Sequence, residues 1–269
     1  MNVHFLSGLP RSGSTLLAAI LQQNPLLQTS IISPMTQMVN AILRATSNAQ
    51  ETSVFVTDAD RMRILQGLFS AYYAACGQTT VLDSNRAWTG KLPLLVQLFP
   101  DCRMICCVRK PAWIMDSFEK LLRKNPLGLN GIFSYDAGMT VFDRADQLAS
   151  NEGTIGFALN GLKEAYHGPF SDRLLLVEYE ALVGRPAKTI AAIYDWLSIP
   201  RYDHDFENIE QVPGAREFDN KLGAPGLHLV GKRVRKTPRE TSLPPELFAR
   251  FAPPFWYKPN GRSKVILEN

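Results

Sequence analysis

Cysteine is scarce in this 269-residue chain. The four are Cys76, Cys102, Cys106 and Cys107, with no C-x-x-C spacing and no paired histidines. That excludes a zinc ribbon and argues against a disulfide framework; reduced thiols and a cytosolic compartment are expected. Long apolar runs are missing too, so no membrane span is predicted. The first strand starts at once, without the charged and apolar blocks of a signal peptide. Charge of one sign is nearly balanced at +4. Such an excess is too small to argue for nucleic acid and suits an anionic small ligand. Repeats, low-complexity segments and linkers are absent. With 45% hydrophobic and 20% charged residues, the chain reads as one globular α/β domain spanning 1–269.

What is present begins at Val3-His4-Phe5-Leu6-Ser7, an apolar strand. It is followed by Gly8-Leu9-Pro10-Arg11-Ser12-Gly13-Ser14-Thr15 and a helix to about Gln23. Gly8 to Thr15 has the G-x-x-x-x-G-x-[ST] skeleton of a phosphate-binding loop. Glycines let backbone N–H groups turn inward, and the helix start adds unpaired donors and a partial positive charge. Ser12, Ser14 and Thr15 add hydroxyls, and Arg11 adds a cation with a two-pronged grip. The lysine that normally follows the second glycine is replaced by Ser14.

Further strands are predicted at 79–83, 103–108 and 174–179. Helices are predicted at 36–45, 59–75, 90–98, 111–123, 141–166 with a break near Gly153, 186–197 and 244–251, and mostly loop after 200. Alternating strands and helices give a doubly wound, mainly parallel sheet with helices on both faces. Ligands bind at strand C-termini in such sheets. Arg11, Asp83, Arg86, Arg109 and Tyr179 all fall there. The glycine-rich segment 125–140 is a lid candidate. It and residues 29–40 are candidates for acceptor contacts, with Met35, Met38, Ile132, Phe133, Tyr135, Trp88, Trp113 and Trp256 as apolar groups.

A nucleotide kinase needs the missing lysine and an acidic group for magnesium, and Asp83 is a weak candidate for the latter. A sulfuryl donor, 3′-phosphoadenosine 5′-phosphosulfate (PAPS), requires neither device. It does require two separate anion sites. Arg109, ending a buried strand, with Ser117 eight positions later, supplies the second.

These motifs make the chain resemble the PAPS-dependent sulfotransferases. Leu9 to Leu16 is similar to that family's 5′-phosphosulfate loop, in the arginine form of the tyrosylprotein enzymes and related bacterial ones. Val108-Arg109 through Ser117 is similar to its 3′-phosphate motif. Leu98-Phe99-Pro100 and Val177-Glu178-Tyr179-Glu180 also match, and the resemblance spans about residues 3–200. It implies a P-loop-like fold, PAPS as donor with 3′-phosphoadenosine 5′-phosphate (PAP) as product, and no required metal. By the same resemblance Pro10, Arg11, Ser12, Gly13, Ser14 and Thr15 hold the 5′ phosphosulfate, and Arg109 and Ser117 hold the 3′ phosphate. Tyr179 lies near the adenosine or serves as an interfacial core tyrosine. Lys232 or Arg233 closes the 3′ phosphate, with a solvated basic tail as the competing arrangement.

Arg11 is the expected electrophile. Arg86 contacts the sulfuryl group or pairs with Asp83. The base departs from the family pattern: the segment Gln28 to Met38 holds no acid, where tyrosylprotein enzymes carry a glutamate. Asp83 and His228 remain as candidate bases, and His4 is structural. The expected function is in-line sulfuryl transfer to a hydroxyl or amine acceptor, small molecule or peptide. The alternatives are a kinase with a degenerate loop and an inactive PAP-binding module.

Overall fold

The computed structural model describes residues 1–124, 140–251 and 254–268. Of the expected segment 125–140, residues 125–139, with Ile132, Phe133 and Tyr135, lie outside them. The strands are β1 (Asn2–Gly8), β2 (Leu27–Gln28), β3 (Thr80–Ser84), β4 (Met104–Val108), β5 (Leu174–Glu178) and β6 (Lys264–Ile266). They form one sheet in the order β2-β3-β1-β4-β5-β6, every pair parallel. The helices are α1 (Ser14–Leu21), α2 (Met35–Ala45), α3 (Asp58–Tyr72), α4 (Leu92–Leu98) and α5 (Pro111–Lys124). They continue with α6 (Val141–Ala149), α7 (Thr154–His167), α8 (Tyr179–Gly184), α9 (Pro186–Leu197), α10 (Ala215–Lys221) and α11 (Pro245–Arg250).

Strand alternation divides the core into two layers. Phe5, Val81, Met104, Cys106 and Leu176 point to one side, where Val39 of α2, Phe69 of α3, Phe118 of α5 and Leu162 of α7 cover them. Leu6, Leu82, Ile105, Cys107 and Val177 point to the other, against Leu17 and Ile20 of α1, Leu182 of α8 and Ile193 of α9. Each fully buried side chain of this size contributes about 1.5–3 kcal/mol. β4 is buried along its whole length, which is why its sequence is unbroken Met-Ile-Cys-Cys-Val.

The chain turns from β1 towards β2 and β3, then crosses to β4 and proceeds to β5. The reversal opens a crevice beside the C-terminal ends of β1 and β4. Those ends are pressed together: a Cβ on Gly8 would lie 2.9 Å from the Cys107 carbonyl oxygen.

Differences from the sequence expectations are local. The break expected near Gly153 within 141–166 is present and separates α6 from α7; a Cβ on Gly153 would run into the carbonyl oxygen of Gln147 there. β2 and β6 are edge strands of two and three residues, too short to leave an alternating pattern. The stretch after 200, expected to be mostly loop, contains α10. Tyr179 opens α8 instead of ending a strand. Among the described residues no helix is long and apolar enough to cross a membrane.

His4 is 6% exposed, and its Nδ1 accepts a hydrogen bond from the Arg103 backbone N–H at 3.1 Å. Burial, helped by the Arg103 guanidinium and opposed by Asp101, pushes its pKa down from 6.5 to about 4. The unfolded chain therefore holds one more proton at this position between those values. Stability from this group is complete above 6.5 and falls as pH drops towards 4, by about 3 kcal/mol at most. Chemical denaturation from pH 7 to 4 should show this loss, and His4→Asn, which keeps an acceptor but does not titrate, should flatten it.

Candidate functional site

The crevice is a cavity of about 600 Å³. Its floor is the β1–α1 turn. Gly13 caps α1 with φ 95°, and a Cβ there would lie 2.7 Å from Cδ2 of Tyr179. Only glycine fits, so the turn brings the free backbone N–H groups at the start of α1 to the cavity. Arg11 also adopts a left-handed conformation, φ 57°, a cost of order 1 kcal/mol for a residue with a Cβ. That twist aims its side chain across the crevice, where Nε donates to Ser117 Oγ at 3.0 Å.

Ser12 points the other way. It is fully buried, its hydroxyl lies against the carbonyl oxygens of Leu9 and Cys107, and it is not among the cavity's lining residues. The expectation that Ser12 donates to a phosphate is corrected: it ties the turn to β4. Pro10, Gly13, Ser14 and Thr15 line the cavity.

Arg109, at the end of β4, is 7% exposed. Its guanidinium carbon sits 4.0 Å from the centroid of the Tyr179 ring, and its Nε donates to Glu180 Oε1 at 3.1 Å. Tyr179 thus supports both Gly13 and Arg109. Ser117, two turns into α5, shares the lining with them.

Six arginines line the cavity: Arg11, Arg86, Arg109, Arg233, Arg235 and Arg239. Among the described residues no aspartate or glutamate does. Among the described residues Arg11 and Arg86 have no carboxylate partner. Burial lowers the pKa of both, and Arg109 and Arg239 push Arg11 further in that direction. Cations held this close without compensating acids are set up for an anion.

Arg239 and Arg235 were not singled out in the sequence. Arg235 lies in the basic run 232–236, whereas Arg239 had no local signal. Arg239 is delivered by Asp116 of α5, a fully buried carboxylate that accepts from Arg239 Nε at 2.9 Å and from the Ser242 backbone N–H at 2.7 Å. The expected late basic loop is therefore present, with a change of residue. Lys232 is exposed and does not line the cavity; Arg233 lines it while pairing with Glu207 at 3.3 Å.

Asp83 is not at the site, and its expected role as base is corrected. It is fully buried; Oδ1 accepts from Ser33 Oγ at 2.6 Å and Trp88 Nε1 at 2.7 Å, and Oδ2 from the Tyr73 hydroxyl at 2.7 Å. Burial raises its pKa against those three donors. It is a polar knot under β3, so Arg86 does not pair with it. Trp88, Trp113, Trp256, Met35 and Met38 are likewise outside the lining, which takes Ile31 and Ile32 from the expected segment 29–40.

His228 lines the cavity. Its Nδ1 is 2.5 Å from Asp219 Oδ1, and its backbone N–H donates to Asp219 Oδ2 at 2.8 Å. Asp219, on α10, is 1% exposed. With Nδ1–H donated to Asp219, Nε2 keeps its lone pair. Burial is the largest influence on His228 and lowers its pKa; Asp219 opposes, and Arg11 and Arg86 lower it further. That direction favours the neutral imidazole, the form competent to accept a proton. The nine-residue spacing of Asp219 and His228 gave no signal in the sequence. Among the described residues no group of three or more His, Cys, Asp or Glu is placed to hold a metal ion.

Comparison with known proteins adds an independent line. The model of the Sulfotransferase family matches residues 4–204. The nodulation protein NoeE of Sinorhizobium fredii (strain NBRC 101917 / NGR234) is 29% identical over 131 residues, 43% of this chain and 30% of that protein. The chain thus matches less than a third of the length of that relative. Similar solved structures include the sulfotransferase domain from the curacin biosynthetic pathway. There the TM-score is 0.48, the identity 17% and the coverage 75% of each chain. The sulfotransferase from Alicyclobacillus acidocaldarius also has a TM-score of 0.48, with 14% identity and coverage of 83% and 91%.

Proposed function

The chain belongs to the sulfotransferase family, and from that premise we propose that it moves a sulfuryl group from PAPS to a hydroxyl or amine acceptor. The observation that carries this reading is the lining of the cavity: among the described residues, six arginines, the start of a helix, and no carboxylate. A donor with a 5′ anhydride and a separate 3′ phosphate matches two cationic clusters bridged by Arg11. Arg109, Ser117 and Arg239 would hold the 3′ phosphate. Arg11, Ser14, Thr15 and the first N–H groups of α1 would hold the 5′ phosphosulfate. Tyr179, carrying Arg109 on its face, is placed to position both.

Sulfuryl transfer, like phosphoryl transfer, builds charge on the leaving oxygen. Arg11 would meet that charge, with Arg86 on the sulfuryl oxygens. His228 Nε2 would accept the acceptor's proton while Asp219 holds the ring. The described lining residues offer magnesium no carboxylate ligand, which disfavours the kinase reading on its donor set. The protein would act without a metal.

Calorimetry with PAP, adenosine 5′-phosphate and ATP, each with and without magnesium, tests the donor. PAP should bind most tightly and without metal. Arg109→Ala should weaken PAP at least about tenfold, from loss of a charge-assisted contact. It should barely change adenosine 5′-phosphate, which lacks the 3′ group. Preference for ATP with magnesium would overturn the reading. Binding of PAP without turnover of any acceptor would leave an inactive nucleotide-binding module.

A further inference from the structure

We propose, resting on the donor reading above, that the acceptor is an uncharged alcohol or phenol with an apolar body, its hydroxyl on His228 Nε2 and its body against α10 and the segment after it. The walls around His228 are the reason. α10 carries Asp219 to the back of the imidazole and, from the same turn, Phe218 to its edge. The Phe218 and His228 rings meet edge to face, with centroids 5.4 Å apart. Leu222 lies four residues on along the same helical face. Leu227 and Leu229 flank His228 in sequence, and all four apolar residues line the cavity. Leu227 is buried, whereas Leu229 is 54% exposed, an apolar side chain held at the rim where a polar one would be the ordinary choice.

Two other acceptor classes are disfavoured by the same lining. An amine is an ammonium ion at neutral pH. It would enter beside Arg11 and Arg86 with no carboxylate among the described lining residues to meet it, and it would have to lose a proton before attacking. A sugar would bring several hydroxyls against Phe218, Leu222, Leu227 and Leu229, which offer no side-chain partner, and each unpaired buried hydroxyl is costly. An alcohol with an apolar body has one polar group to satisfy, and His228 satisfies it.

In the transfer step the acceptor oxygen forms the bond to sulfur. The bond from sulfur to the bridging oxygen breaks, and its electron pair stays on the 5′ phosphate. The hydroxyl proton passes to His228 Nε2 and then to solvent. Products are the sulfate ester, PAP and a proton.

The test uses the full chain loaded with PAP. Aryl and alkyl alcohols, their isosteric primary amines and monosaccharides are titrated calorimetrically, and the same panel is assayed with labelled PAPS. Alcohols should bind at least tenfold more tightly than the matched amines and sugars and should be the compounds sulfated. Leu229→Lys, at an exposed position that does not threaten folding, should weaken alcohol binding about tenfold and leave PAP binding unchanged. Preference for amines or sugars, or unchanged alcohol binding in Leu229→Lys, would overturn the proposal. Failure of the wild-type chain to bind PAP at all would instead remove the donor reading and this inference with it.

Discussion

Arg11→Ala is expected to lower turnover by about a thousandfold while PAP weakens by only about tenfold, the loss of one charge-assisted contact to its 5′ phosphate. The magnitude is that of removing one preorganised donor from a developing charge in a site screened from water. The split between turnover and binding follows from where Arg11 stands. It bridges the two cationic clusters, touching Ser117 on one side and lying in the field that lowers the His228 pKa on the other. PAP keeps Arg109, Ser117, Arg239 and the α1 N–H groups. It loses only the Arg11 contact to its 5′ phosphate, a smaller loss than that of a preorganised cation at the charge developing in the transition state. The variant should also fold at least as well as wild type without ligand. Arg11 has no carboxylate partner among the described residues, is pushed down in pKa by burial and by Arg109 and Arg239, and sits at a strained backbone position. Its removal relieves repulsion among buried cations. Arg11→Lys should recover part of the rate, since the charge returns without the forked geometry. Single-turnover kinetics, PAP calorimetry and a thermal melt of the same samples check all three points. Normal turnover in Arg11→Ala would remove Arg11 from the chemistry.

The second large effect is at His228. His228→Gln should cost about a hundredfold to ten-thousandfold in turnover, the usual range for loss of a positioned base. The pH dependence gives a sharper readout. Only the neutral imidazole accepts a proton, so the rate should rise with pH through the His228 pKa and level off above it. Burial places that pKa below the ordinary 6.5, with Arg11 and Arg86 lowering it and Asp219 raising it. The acid limb should therefore lie below pH 6.5. Asp219→Asn removes the one influence that raises the pKa, so the limb should move to lower pH. The plateau should fall as well, because Nδ1–H no longer meets a carboxylate that fixes the tautomer. A merely structural Asp219 would lower the plateau without moving the limb. A wild-type profile with no acid limb, or a His228→Gln enzyme at full rate, would exclude His228 as base. Asp83 offers no substitute, since both of its oxygens are committed to Ser33, Trp88 and Tyr73.

The two histidines His4 and His228 show how far residue type alone carries. Both are pushed down in pKa by burial. The His4 ring accepts from the backbone N–H of Arg103, a structural role that its place in the first strand implies. His228 reaches the cavity because α10, a helix the sequence did not announce, holds its carboxylate partner. Within Ala215 to Lys221 the apolar residues are just Ala215 and Phe218, too few to mark a helix in the sequence, and α10 forms where the chain packs over the cavity.

The sequence by itself determined the parallel sheet, the turn from β1 into α1, and the placing of Arg109 eight residues before Ser117. These features are local. Strand, glycine turn and helix follow one another between Asn2 and Leu21, and the patterning that builds them is written in consecutive positions. Only the tertiary structure decided that Asp83 is a buried knot and not a base, that Ser12 faces β4 and not the cavity, that Arg239 and not Lys232 lines it, and that Asp219 stands behind His228. Those outcomes depend on which distant segments meet: Tyr73 and Ser33 on Asp83, Cys107 on Ser12, Asp116 on Arg239. A carboxylate surrounded by donors and one facing a crevice are the same letter in a sequence. Burial and partners separate them, and both are set by contacts between residues far apart in the chain.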